Sequence, residues 1–260
     1  MKIAAVVALL STLAAASVQD LPRAEVVIRS ISVLDVTAGA WLPRHDVIIR
    51  NGRIAAVQPA GSPLPPSKFT INGEGKFAIP GLFDNRVHLQ QFDTAAAGQF
   101  VAYGITSVWD RGTDAAKIAQ WQRDISHGKF MGPRIVRSDV SGPPNNGGNL
   151  PGSGVAESSS RAAVALHEEL VARVRRSGRS AAEVLRSATI GSAAFHGRGL
   201  DLGSIEQGKI ADLIVLGDDP LADLAHLRLI DAVVFRGEAL TRAHLNQLLS
   251  HARLAGHYEY

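Results

Sequence analysis

The spacing of apolar and polar positions changes period twice along the chain. From Ala24 to Val57 the apolar residues come in short β-branched runs, Val26-Val27-Ile28 and Ile31-Ser32-Val33-Leu34, the composition that fits a pleated, half-buried surface. Asp46 to Val57 predicts a hairpin: Val47-Ile48-Ile49 and Ile54-Ala55-Ala56-Val57 flank Asn51-Gly52, the pair favoured where both turn residues need positive φ. Pro59 to Pro66 is punctuated by proline and glycine and predicts a loop, and Phe77-Ala78-Ile79 predicts a short buried strand.

The period then lengthens. Thr94 to Tyr103 predicts a helix, Ile105 to Trp109 a strand, and Thr113 to Ser126 a helix with Ile118, Trp121 and Ile125 on one face. Pro133 to Val136 predicts another strand, so this region reads as right-handed β-α-β units with parallel strands. Between Ser141 and Gly154 periodicity stops, and residues 141–154 read as a linker. Order resumes with a helix from Ser159 to Arg176, its stripe including Ala163, Leu166, Leu170 and Val174, with Gly178 placed as a C-terminal cap. Ser180 and Glu183 form a capping box for a helix running to about Ala194. Ile210 to Leu216 and Asp231 to Phe235 return to strand chemistry, and Asp219-Pro220 is placed to start a short helix. A last amphipathic helix carries Leu245, Leu248 and Leu249. The fold class is α/β.

Composition narrows the function. The 260 residues suffice for one large domain or two small ones. The net charge is +3, and the basic residues cluster at Arg173, Arg175 and Arg176, where a helix C-terminus accounts for them. With aromatics at 5%, stacking platforms for nucleic acid are not expected. The chain has no cysteine, which excludes disulfides and thiolate metal sites. Met1-Lys2, an apolar run from Ile3 to Ala16 and the small residues Ala14-Ala15-Ala16 read as a secretory signal peptide over residues 1–17, too short to span a bilayer. A secreted or periplasmic protein with no membrane segment in its mature form is expected.

The stretch that carries candidate chemistry is Ile79-Pro80-Gly81-Leu82-Phe83-Asp84-Asn85-Arg86-Val87-His88. It resembles the strand-1 motif P-G-L-x-D-x-H-x-H of the amidohydrolase superfamily. Asp84 fits that motif, Arg86 stands where the first ligand histidine would be, and His88 is the second. The run Gly203-Ser204-Ile205-Glu206-Gln207-Gly208-Lys209-Ile210-Ala211-Asp212-Leu213-Ile214-Val215-Leu216 is similar to the family's G-S-I-E-x-G-K-x-A-D-L-V-V-L signature. Gly104 to Val108, Gly132-Pro133-Arg134 and Val184 to Thr189 extend the resemblance, to the secreted imidazolonepropionase-like and prolidase-like branch, over nearly all of the mature chain.

The resemblance implies a composite β-sandwich from residues 22–79 and 200–240, an incomplete (β/α)8 metallo-hydrolase barrel over 80–199, and a C-terminal helix over 241–260. A closed barrel needs about 200 residues or more, and Gly81 to Leu200 supplies fewer, with the missing middle at the linker. A half-barrel would leave parallel edges unpaired.

The resemblance also implies a divalent metal, zinc, that activates water for attack on a C–N or ester carbonyl of a small-molecule substrate. The family's ligands are two strand-1 histidines, often a carboxylated lysine, two further histidines and an aspartate that doubles as general base. Here His88 is the one defensible metal residue. Arg86 carries a permanent cation and offers no lone pair. No lysine lies between Lys129 and Lys209, and no aspartate between Asp139 and Asp201. His127 and His196 read as helix ends, and His167, beside Glu168 and Glu169, as a solvated face. His45, His226, His244, His251 and His257 read as surface residues outside the barrel. Zinc sites want three or more protein ligands. Asp84 with Arg86, and Asp110 with Arg111, read as ion pairs at strand ends, and Gly152-Ser153-Gly154 lacks the spacing of a nucleophile elbow. Two functions follow. One is a hydrolase of C–N or dipeptide-like bonds with an impaired metal site, its ligands completed, if at all, across a homo-oligomer. The other is a non-catalytic, internally deleted remnant with a binding or structural role and no metal.

Overall fold

Strand β1, Ala24–Asp35, is the spine of an eight-stranded sheet. In this computed structural model residues 23–89, 92, 94, 97–111, 113–136 and 159–255 are described, with backbone alone at 159, 160 and 251–255. The expected signal peptide, the 141–154 linker, Gly152-Ser153-Gly154 and the side chains of His251 and His257 lie outside them. β1 pairs along its length with β2, Ala40–Arg50, and changes its other partner halfway. Ala24 to Arg29 run parallel to β4, Ser67–Asn72, whereas Ser32 and Val33 run parallel to β5, Phe77–Pro80. The change falls at a bulge where Ser30 has a φ of 55°. Its N–H donates to the buried Asp46 carboxylate at 2.8 Å. Such a bulge bends a strand and strengthens its twist, and here the sheet folds over a core including Val26, Ile28, Ile31, Val47, Ile49, Leu213, Val215 and Val234.

The hairpin of β2 and β3, Arg53–Pro59, turns through Asn51 and Gly52 at φ of 52° and 70°, as their identities require. β5 pairs antiparallel with β9, Leu213–Leu216, from Phe77↔Leu216 to Pro80↔Leu213, and β10, Ile230–Phe235, and β11, Glu238–Thr241, follow. Strands from both ends of the chain therefore share one sheet. β4 and β11 escape a reading of periodicity because each is short and polar; β4 buries only Ile71. The strand expected from Ile210 begins at Leu213. The short helix expected at Asp219-Pro220 is a 3₁₀ turn over Leu224–Arg228, with Asp223 accepting from the N–H of Ala225.

A second sheet orders β6, Leu82–Val87, β7, Ile105–Asp110, and β8, Arg134–Val136, all parallel. Helices α1, Gly98–Ala102, and α2, Ala115–Ser126, make the crossovers. The Asp114 side chain accepts from the N–H groups of Ala116 and Lys117 and starts α2, a cap worth about 1 kcal/mol. Ile118, Trp121 and Ile125 face the core with Val108 and Ile135. On the other face Phe83 and Val136 pack against Ala193 and Leu202. Gln122 Nε2 donates to the Ile135 carbonyl on β8 at 3.0 Å. The three parallel strands of the expected incomplete barrel are covered on both faces, as parallel strands require, with β6 and β8 at the edges.

The cover comes from a run of helices. α3, Ser159–Ser177, ends at Gly178, whose φ is 65°. The Ser180–Glu183 capping box opens α4, Ala181–Arg186, which continues through a π-helical turn, Ser187–Gly191, into α5, Ser192–Phe195. α6, Arg242–Ala255, buries Leu245 and lays Leu248 against Gly98 of α1. His167 corrects a second expectation: it is 1% exposed. Its position, four after Ala163 and three before Leu170, puts it in the apolar stripe, apart from Glu168 and Glu169.

The chain passes from one sheet to the other at one residue. Gly81 joins β5 to β6 and donates its N–H to the Asp212 carbonyl at 2.9 Å; a Cβ there would lie 2.1 Å from Thr106 Oγ1. The buried Asp212 carboxylate accepts from Arg134 Nη2 at 3.3 Å and from the Arg236 N–H at 2.9 Å. Burial pushes this carboxyl up, and the Arg134 guanidinium and the Arg236 N–H oppose that. Asp212→Ala strands Arg134 in a half-buried site, and an expected loss of about 3 kcal/mol is measured by denaturant unfolding.

Candidate functional site at the end of the parallel strands

The C-terminal ends of parallel strands are where α/β folds place ligands, and here they hold a polar cluster. Asn85 on β6 accepts from His196 Nε2 at 2.8 Å and donates through Nδ2 to Ser192 Oγ at 2.8 Å. Ser192 Oγ donates in turn to the Ser187 carbonyl at 2.8 Å, tying the π-helical turn to the strand. Because Asn85 Oδ1 can only accept, the chain of bonds fixes the proton on His196 Nε2 and leaves Nδ1 as a bare lone pair. Nδ1 is buried with no partner among the described residues. The imidazole lies against Trp109 of β7, ring centres 3.7 Å apart and inclined by 31°, with Phe195 edge-on at 5.0 Å. Burial lowers the pKa of His196. His196 does sit at a helix end, as the C-cap of α5, and its ring closes the inner face of the sheet.

Arg86 turns toward α3. Its guanidinium pairs with Glu169, which also holds Arg173 at 2.5 Å. The ion pair expected between Asp84 and Arg86 is replaced by that pair; Asp84 Oδ1 accepts the backbone N–H of Arg86 at 2.9 Å. Asp110 likewise serves its loop, accepting from the N–H of Leu89 at 2.7 Å and from the N–H and hydroxyl of Thr113. His88 is half-buried one residue beyond the end of β6. Among the described residues no group of three histidines, cysteines or carboxylates is arranged to hold a metal. His127 is an exposed C-cap of α2, His244 is exposed, and His45 and His226 are half-buried against the carbonyls of Pro43 and Asp219, apart from this cluster. The Asn85–Ser192–His196 cluster escaped sequence reasoning because its parts lie over a hundred positions apart. The one local hint is a histidine where the helix meets Gly197.

Residues 112–240 match the Amidohydrolase family. That match covers just under half of the chain. Among curated proteins it is similar to an adenine deaminase of Cenarchaeum symbiosum (strain A), 31% identical over 116 residues that make up 44% of this chain and 19% of that protein. A second, the adenine deaminase of Rubrobacter xylanophilus, is 36% identical over 110 residues, 37% of this chain and 18% of that protein. The chain thus spans less than a fifth of the length of the curated relatives it matches (19% and 18%). Among solved structures it superposes on a prolidase complexed with N-methylphosphonate-L-proline at a TM-score of 0.63 and 18% identity, covering 84% of this chain and 99% of that one. An adenosine deaminase from Xanthomonas campestris with bound zinc gives a TM-score of 0.59 at 13% identity, covering 89% and 98%. These structural likenesses establish a shared α/β fold.

Among the described residues, the donors at the strand ends do not fit the metal that the family resemblance implies. The first ligand position holds a cation tied to Glu169, and the cluster's one imidazole uses Nε2 on Asn85. The stacked pair gives the cluster a reporter. A protonated His196 quenches Trp109, so tryptophan fluorescence is expected to fall on acidification with a midpoint below about 6.5, and His196→Leu is expected to abolish that step.

Proposed function

We propose that this chain is an amidohydrolase-family protein of the class that cleaves C–N bonds in small molecules, with its metal centre replaced by a structural ion pair, so that turnover is impaired. Arg86 carries the reading: a permanent cation at the family's first ligand position, held by Glu169. The adenine deaminase relatives and the prolidase-like fold support the class of bond. Placing a divalent ion beside a fixed guanidinium costs electrostatic energy, and His88 alone supplies one donor where about three are needed. The residues at the strand ends are committed to each other: Asn85 to His196 and Ser192, Asp110 to Leu89 and Thr113. The proposal extends to export: residues 1–17 are a leader whose removal N-terminal sequencing of the mature protein tests.

The alternative, a working hydrolase, is favoured by the same relatives and separates cleanly. Purified protein supplied with zinc or manganese is expected to show no hydrolysis of N-acyl amino acids, Xaa-Pro dipeptides, cyclic amides or adenine above the metal-only rate. Metal-dependent turnover that disappears in His88→Ala would overturn the proposal. Arg86→His restores the motif's two histidines and is still expected to leave activity absent, because the remaining ligands are missing from the sequence.

A further inference from the structure

We propose that α3 is an acid-released latch, docked at neutral pH through an uncharged His167 and undocked as a unit on acidification while the large sheet stays paired. His167 is wholly buried between α3 and the end of α1. Its Nε2 donates to the Tyr103 carbonyl at 2.9 Å, and its ring meets the Tyr103 ring edge-on at 5.9 Å. Nδ1 is buried with no partner among the described residues. An imidazolium would carry a second N–H into that position with no acceptor to meet it, and its charge would face Arg228.

The charged surroundings give no compensation. α1, Gly98–Ala102, has no charged residue. The 3₁₀ turn packed on α3 brings His226 and Arg228, and Arg228 is engaged by Glu168 at 3.0 Å. β6 brings Arg86, engaged by Glu169, which α3's own Arg173 also holds. α4 brings Glu183, held in its capping box, and Arg186, while α3 adds Arg161. The rim pairs Arg86–Glu169 and Arg228–Glu168 are exposed on at least one side and contribute little each. What docks α3 is therefore the apolar stripe of Ala163, Leu166 and Leu170 together with the neutral imidazole. α3 contributes no strand to the large sheet, so its release breaks none of that sheet's ladders.

Burial lowers the pKa of His167 to about 4, with the Tyr103 bond opposing and Arg228 adding to the shift. The released helix binds a proton near pH 6.5, the docked one only near 4, so docking weakens as pH falls through that window and is fully weakened below 4. The released population is expected to rise roughly 20-fold between pH 7 and pH 5.

Hydrogen exchange of the full chain, corrected for the intrinsic pH dependence of exchange, tests this. The expected result is a loss of protection of about 20-fold across α3 from pH 7 to pH 5, with β1, β2, β9 and β10 unchanged. His167→Gln keeps an N–H for the Tyr103 carbonyl and is expected to remove the pH dependence. Constant protection of α3, loss in step with the sheet, or the same loss in His167→Gln would each overturn the proposal. Should that variant not fold, exchange of the imidazole C2 hydrogen in the natural chain reads the titration of His167 directly. A midpoint near 4 supports the latch, and one near the ordinary value of about 6.5 overturns it.

Discussion

One buried carboxylate holds the architecture together. Asp212 accepts from Arg134 at the start of β8 and from the Arg236 backbone after β10, while its own carbonyl receives Gly81 at the β5–β6 junction. The large sheet and the parallel sheet are bound through this residue, and Thr106 leaves no room for any side chain at Gly81. A carboxylate in such a place is costly unless every lone pair is used, and here cation, backbone donor and carbonyl all act at once. The A-D-L run and the G-P-R run, far apart in sequence, are therefore two halves of one contact.

That junction aims β6 at the strand ends, where the residues divide between two faces. Phe83 and Asn85 meet α5, whereas Arg86 meets α3. The inner face, which a larger barrel would leave to substrate, is filled by the His196–Trp109 stack and the hydrogen bonds of Asn85. A parallel sheet of three strands buries both faces with the elements at hand. The polar groups at its end are bonded to one another, and the cation of Arg86 is paired with Glu169 on the rim of α3.

Local rules read much of this from the sequence. Asn51-Gly52 dictated its turn, Asp114 and the Ser180–Glu183 pair their helix starts, and Ile118, Trp121 and Ile125 their buried face. Each depends on a few neighbouring residues. What was illegible depends on partners far away. β4 and β11 gain their strand character from β1 and β10. His167 reads as solvated from its two glutamate neighbours, whereas its place in the helical stripe buries it. Arg86 has Asp84 as its nearest carboxylate in sequence, whereas its partner Glu169 comes from the distant helix α3. The opening motif gave a family resemblance, and only the fold supplied the Asn85–Ser192–His196 cluster.

The proposal of an impaired hydrolase rests on a strand end that does not hold a metal. A zinc titration of the purified protein in competition with a chromophoric chelator tests it most directly. Binding no tighter than that of weak surface histidines, and unchanged by His88→Ala, is the predicted result. One tightly held zinc per chain, lost in His88→Ala, would contradict it.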